Sequence, residues 1–281
     1  MIRPQLPDCA PILTLLAVAC ASVGDTPPAP VGRESSSPAA AERSAETGSE
    51  RCRLPTSPDT LRAEDGAVLL RWDVPDDPVY SGPLLPADSA LLAYRAAVRA
   101  DGADVPWPVA DEPTPRSDAE ADLWRDERFN ADLARSGEAG KVDRITCLEA
   151  LLFALQNRRR SQLVHPTEFL ASVLRLEREG ADSLVVLFGA DLEMFPPKSV
   201  YGFDVVETLV KRGWRWSYAL HNHTTQREGD HIALGTPALS TSDVQLVRSL
   251  AADLGLEAAR VTNGFWTYRV PAEQFGRLRS R

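Results

Sequence analysis

Lysine is all but missing from this chain: Lys141, Lys198 and Lys211 are the only three in 281 residues. Histidine and cysteine number four each, and methionine two. Arginine supplies nearly all the positive charge, and the acids outnumber it to leave a net charge of −9. That balance excludes the usual nucleic-acid binder, which carries a basic face. The apolar stretch Pro11-Ile-Leu-Thr-Leu-Leu-Ala-Val-Ala19 is too short to span a bilayer. What remains is ordinary for a globular chain, with 43% hydrophobic and 25% charged residues. Its length allows one substantial domain or two small ones.

The N-terminus reads as a targeting segment over residues 1–20. Arg3 gives a small positive start, residues 11–19 give the short apolar core, and Leu16-Ala-Val-Ala-Cys20 resembles a bacterial lipobox. The resemblance implies lipidation of Cys20 and export to the cell envelope, facing the periplasm. An ordinary signal peptide, giving a secreted protein, is the other reading. Residues 21–60 carry Pro, Ala, Ser and Glu with few aromatics, as in Thr26-Pro-Pro-Ala-Pro, and read as a disordered tether. With Cys9 removed and Cys20 lipidated, Cys52 and Cys147 remain as one possible disulfide, which an oxidising compartment permits. Two unrelated buried thiols are the alternative.

Residues 61–140 form a mixed N-terminal region with no chemical motif. Residues 67–72 read as a strand, 88–99 as a helix with an aliphatic stripe, and the Pro-rich 105–115 as loop. Residues 141–281 alternate in type. Residues 141–147 suggest a short strand and 148–156 a helix. Residues 168–176 fit either type, and 183–189 read as a strand that makes a hairpin with 168–176 if these are extended. An amphipathic helix over 203–212 stops at Gly213, and one over 242–254 stops at Gly255. Asn263-Gly264 marks a closing hairpin. The alternation predicts an α/β (α+β) fold, a mixed sheet flanked by helices.

Against this background two histidines one residue apart, His221 and His223, stand out. They end the run Trp214-Arg-Trp-Ser-Tyr-Ala-Leu220, whose alternation predicts a strand. On a strand they share a face. Asp243, in Ser240-x-x-Asp243, offers a third, anionic ligand. Three protein ligands and one open position describe a catalytic zinc site. Each piece also has a plainer reading: Ser240 and Asp243 fit a helix cap, the histidines a surface pair, Trp214 and Trp216 core packing. A literal His-Asn-His does not make a nuclease motif, and the charge opposes one.

The series His221-Asn-His223, Pro237-x-x-Ser240-x-x-Asp243, a helix, then Val261-Thr-Asn-Gly-Phe265 resembles the JAMM (MPN+) metallopeptidases, and is similar to their bacterial RadC-type members. The likeness covers about residues 145–271. It implies a JAMM/MPN (cytidine deaminase-like) architecture, with zinc held by His221, His223 and Asp243 and Ser240 assisting the oxyanion. It also implies a glutamate as general base, Glu168 in the first place and Glu149 as the alternative. Glu168 opens a segment similar to the family's first strand, and Glu149 opens a more helical one. The implied substrate is a peptide or protein, cleaved at a peptide or isopeptide bond, with membrane contact only through the lipid anchor. The family follows its second histidine with proline, where this chain has Thr224, and its loop to the serine is shorter than Thr224 to Leu239. His231 lies in that loop, either over the metal or exposed. A non-catalytic MPN-like binding module and a structural envelope lipoprotein are the competing readings.

Overall fold

A computed structural model of the protein describes residues 52–55, 57–107, 115–178, 182–228 and 231–280. The expectations placed on residues 1–20, Cys20 included, and on most of the tether lie outside these residues.

The backbone is a mixed α/β fold around one eight-stranded sheet. In chain order the main elements are β1 (Asp59–Glu64), β2 (Ala67–Pro75), α1 (Ser89–Ala100), α2 (Asp118–Ser136), β3 (Lys141–Arg144), α3 (Cys147–Arg159), β4 (Phe169–Leu176) and β5 (Ser183–Ala190). They continue with α4 (Phe203–Val210), β6 (Arg215–Asn222), β7 (Gln226–Glu228), β8 (His231–Ala233), α5 (Thr241–Leu254), β9 (Ala258–Thr262) and β10 (Trp266–Pro271). The sheet order is β1-β2-β5-β4-β6-β9-β10-β3, and β7 pairs with β8 apart from it. Among these pairs β6–β9 is parallel and the rest are antiparallel.

Residues 61–140 do not stand apart. β2 pairs with β5 along its whole length, from Val68–Ala190 to Pro75–Ser183. The tether likewise ends inside the fold: Cys52 is buried and bonded to Cys147, with Cα atoms 5.7 Å apart. Within residues 168–176, Phe169–Leu176 form strand β4, antiparallel to β5 from Phe169–Ala190 to Leu176–Ser183. Their β-branched and aliphatic residues are buried on both faces of a central strand, which is why alternation did not mark them.

Helices cover both faces. Leu91, Tyr94 and Val98 of α1 pack with Leu148, Leu152 and Phe153 of α3 against Phe169, Val186 and Leu220. Ala134 of α2, Val206 and Leu209 of α4, and Val244, Val247 and Leu250 of α5 pack against Leu187, Trp216 and Val261. The parallel β6–β9 pair requires a crossover, and α5 is that crossover. Its chain must run back against β6, so the N-terminus of α5 lies at the C-terminal end of β6. That topology brings distant sequence positions to one place.

One irregularity sets the side-chain phase of β6. In its pairing with β4, Val173 opposes Tyr218 and Leu174 opposes Trp216, so Ser217 is the extra residue of a bulge. Trp216 therefore faces the α5 side while Tyr218 and Leu220 face the α3 side. Ala219 returns to the α5 side. His221 and His223 follow Ala219 at the strand period.

Candidate metal centre

His221 is the last residue but one of β6, and His223 lies just beyond the strand. The His223 N–H donates to the Thr262 carbonyl at 3.0 Å, which carries the β9 contact past the strand end. Asp243 is the third residue of α5. Ser240 caps that helix: the Asp243 N–H donates to Ser240 Oγ at 3.1 Å, and the Ser240 N–H donates to Asp243 Oδ2 at 2.9 Å. The cap reading of Ser240-x-x-Asp243 is therefore realised. A capping box fixes the rotamer that aims Asp243 at the histidines.

The three side chains converge. His221 Nε2 and His223 Nε2 are 3.3 Å apart, and each lies 3.4 Å from Asp243 Oδ2. Among the described residues this is the group of His, Cys, Asp and Glu side chains with ligand atoms close enough for one ion. The spacing tests the fit. Ligands at about 2.0–2.1 Å from a tetrahedral zinc stand roughly 3.3–3.4 Å from one another. The donor set fits as well: two neutral nitrogens and one carboxylate oxygen leave a fourth position open. His223 Nδ1 donates to the Thr236 carbonyl at 2.8 Å, which in the neutral ring fixes the tautomer with the Nε2 lone pair facing the cluster. The side chains are 14%, 22% and 24% exposed for His221, His223 and Asp243, so solvent and substrate can reach them.

Gly235 allows this arrangement. The loop from Thr224 to Leu239 folds back on the histidine, and a Cβ at Gly235 would lie 2.6 Å from His223 Cβ and 2.8 Å from the Thr224 carbonyl oxygen. That loop carries the β7–β8 pair, tied to the C-cap of α1 by the Ile232 N–H on Asp101 Oδ2 at 2.6 Å. His231 is 72% exposed with Nδ1 3.8 Å from Asp101 Oδ1, so it is a surface histidine and does not cover the cluster.

The two candidate bases separate. Glu168 immediately precedes β4, and its N–H donates to the Met194 carbonyl at 2.7 Å. Burial pushes its carboxyl up to about 7, with His223 and His221 opposing and Asp243 adding to the rise. That coupling marks Glu168 as a neighbour of the cluster. Glu149 is in a different environment. It is fully buried, accepts from Thr146 N–H at 2.8 Å, and pairs with Arg260 at 2.8 Å and Arg269 at 3.1 Å. Arg260 stacks on Tyr218, whose face of the sheet is opposite to that of the histidines. Burial opposes its ionisation, but the two guanidiniums hold its carboxyl below the ordinary value. Glu149 is a structural anion, because its lone pairs are already taken.

The electrostatics of the metal-free cluster follow from its geometry. Burial would lower the His223 value, but the Asp243 hydrogen bond and charge outweigh it and push it up to about 9. Burial would raise Asp243, and the two histidines instead hold it well below the usual carboxylate range.

Two neighbours escaped the sequence reading. Glu127 on α2 accepts from both the N–H and the hydroxyl of Thr241 at 2.9 Å, binding α2 to the first turn of α5. Burial pushes its carboxyl up, against those two bonds. Tyr201 has its phenol raised by burial and by the charges of Glu168 and Asp243. The Ser117 cap and Gly137 stop of α2 were visible signals for the first. Nothing in the sequence marked the second.

Comparison of the chain with family models, with curated proteins and with solved structures finds no match. The geometry therefore carries the functional reading.

Proposed function

We propose that the protein is a zinc-dependent hydrolase of peptide or isopeptide bonds, of the JAMM (MPN+) type. The observation that carries this reading is the triangle of His221, His223 and Asp243, whose sides match tetrahedral zinc. Its placement between the end of β6 and the cap of α5, with Glu168 beside it, agrees with the order of the family motif.

His221, His223 and Asp243 would hold the ion. A bound zinc supplies Lewis acidity towards water and towards the scissile carbonyl. Glu168 takes a proton from water as the oxygen adds to the carbonyl carbon, and returns it to the nitrogen as the C–N bond breaks. Ser240 directs its hydroxyl at the charge developing on the carbonyl oxygen, for a contribution of about 3–4 kcal/mol.

The Cys52–Cys147 disulfide supports an oxidising compartment, in keeping with export and a lipid anchor at Cys20. Among the described residues no helix is long and apolar enough to cross a membrane.

One observation favours a second reading, a zinc-holding module without catalysis. Ser240 Oγ donates to Asp243 Oδ2 at 2.6 Å, so the hydroxyl is engaged in the cap. A single experiment separates the two. Zinc-loaded protein is incubated with a library of peptides and isopeptide-linked peptides, and the products are read by mass spectrometry. Chelator-sensitive cleavage supports the hydrolase. Bound zinc without cleavage of any library member supports the module.

A further inference from the structure

The middle residue of the histidine tripeptide faces away from the imidazoles. Asn222 is fully buried. Its Oδ1 accepts from the Phe169 N–H at 2.8 Å, and its Nδ2 donates to the Thr167 carbonyl at 3.0 Å and to Gln162 Oε1 at 3.4 Å. The two backbone partners are the residues on either side of Glu168.

This clamp sits where two strands part. The β4–β6 ladder ends at the pair Leu170–His221. The next rung would oppose Phe169 to Asn222, and there a side-chain amide takes the place of a backbone carbonyl. Beyond it the chain stays with β9, through the His223 N–H on Thr262. The Asn222 amide keeps the start of β4 tied to β6 where the backbone ladder stops.

A second tier holds the clamp. Thr167 Oγ1 accepts from Gln156 Nε2 at 2.6 Å and from Gln162 Nε2 at 3.1 Å, and Gln156 also donates to the Asp191 carbonyl at 2.9 Å. Gln156, Gln162 and Thr167 are all buried. In a low-dielectric interior such bonds strengthen one another and select one geometry. From the other side the Glu168 N–H is fixed on Met194.

We infer that Asn222 is the positioning residue for Glu168: the tripeptide that aims two imidazoles at the ion also sets the reach of the carboxylate. This rests on the reading of Glu168 as the base. A base must lie within about 2.6–3.2 Å of the proton it takes, and a misplacement of about 1 Å costs on the order of 100-fold in rate.

The test compares Asn222→Ala, Glu168→Gln and the double variant in the zinc-loaded full chain, with a library peptide as substrate. Asn222→Ala is expected to lower kcat about 10- to 100-fold while KM and zinc content stay within about twofold. The double variant is expected to be no slower than Glu168→Gln alone, because Asn222 acts through the carboxylate. Wild-type kcat in Asn222→Ala, or two losses that multiply, would overturn the inference. Amide hydrogen exchange gives a readout free of activity. The Phe169 N–H is expected to lose protection in Asn222→Ala, and equal protection would also overturn the clamp. If the wild type cleaves nothing, the hydrolase reading fails and the exchange result still judges the clamp. Should Asn222→Ala not fold, Gln162→Met removes the bonds to Asn222 and Thr167 and takes its place, with an expected fall in kcat of about 2- to 10-fold.

Discussion

His223 Nε2 lies 3.4 Å from Asp243 Oδ2, although one residue follows a strand and the other opens the helix after a loop and a hairpin. The parallel β6–β9 pair is the reason. It turns α5 back along the sheet and delivers the first turn of the helix to the strand end, where the capping box fixes the carboxylate.

That contact sets a pH dependence in two directions. The metal-free His223 value, about 9, lies above the ordinary 6.5. Its imidazolium–Asp243 pair therefore stabilises the metal-free protein fully below the ordinary value, and that share of stability is lost as pH rises through about 9. Zinc needs the neutral imidazole, so binding releases the proton. Calorimetric titration with zinc in buffers of different ionisation enthalpy is expected to show about one proton released at neutral pH. The apparent affinity should gain about tenfold per pH unit towards 9 and then flatten. An affinity that does not change with pH would contradict the protonated pair.

Glu168→Gln keeps the shape of the side chain and removes the proposed base. Peptide cleavage is expected to fall about 100- to 10,000-fold with zinc content unchanged. Glu149→Gln, on the opposite face, is expected to act on stability instead, because it breaks a buried anion with two guanidinium partners. Breaking such a group costs about 3–5 kcal/mol. Denaturant unfolding and steady-state rates on the two variants check the division of roles.

Much of the fold was legible in the sequence, for stateable reasons. The stripe of Val244, Val247, Ala251 and Leu254 on α5, the Gly255 stop and the Asn263-Gly264 turn are local signals, and the elements form where those signals lie. The converging trio of His221, His223 and Asp243 was legible because strand period and helix cap both act over a few residues. The misses come from long range. β2 reads as a lone strand until it pairs with β5, more than a hundred residues on. The bulge at Ser217, which flips the phase of β6, depends on its partner strand. In sequence only the type of segment each opens sets Glu168 apart from Glu149, and the structure separates them by their surroundings.

Gly235 has no side chain to strike His223. Gly235→Ala would bring a methyl 2.6 Å from His223 Cβ, so the ring or the loop must move and the Thr236 bond with it. Disturbing such an outer partner costs about 10- to 100-fold in metal affinity. Competition for zinc against a chromophoric chelator measures the loss, and wild-type affinity in Gly235→Ala would refute it.

The Cys52–Cys147 bond closes a loop with a sequence separation of 95. Cys52→Ala is expected to lower the unfolding free energy by about 2–5 kcal/mol. Denaturant titration of the two proteins under oxidising conditions, with the reduced wild type as a third arm, checks this. The reduced wild type should resemble the variant.

The central claim is that two imidazoles and one carboxylate share a single ion. Elemental analysis of the zinc-loaded, dialysed full chain tests it most directly. The account predicts about one zinc per wild-type chain, and a loss of nearly all of it in His221→Ala, His223→Ala and Asp243→Asn. A wild-type chain that retains no zinc, or three variants that retain as much as the wild type, would contradict it.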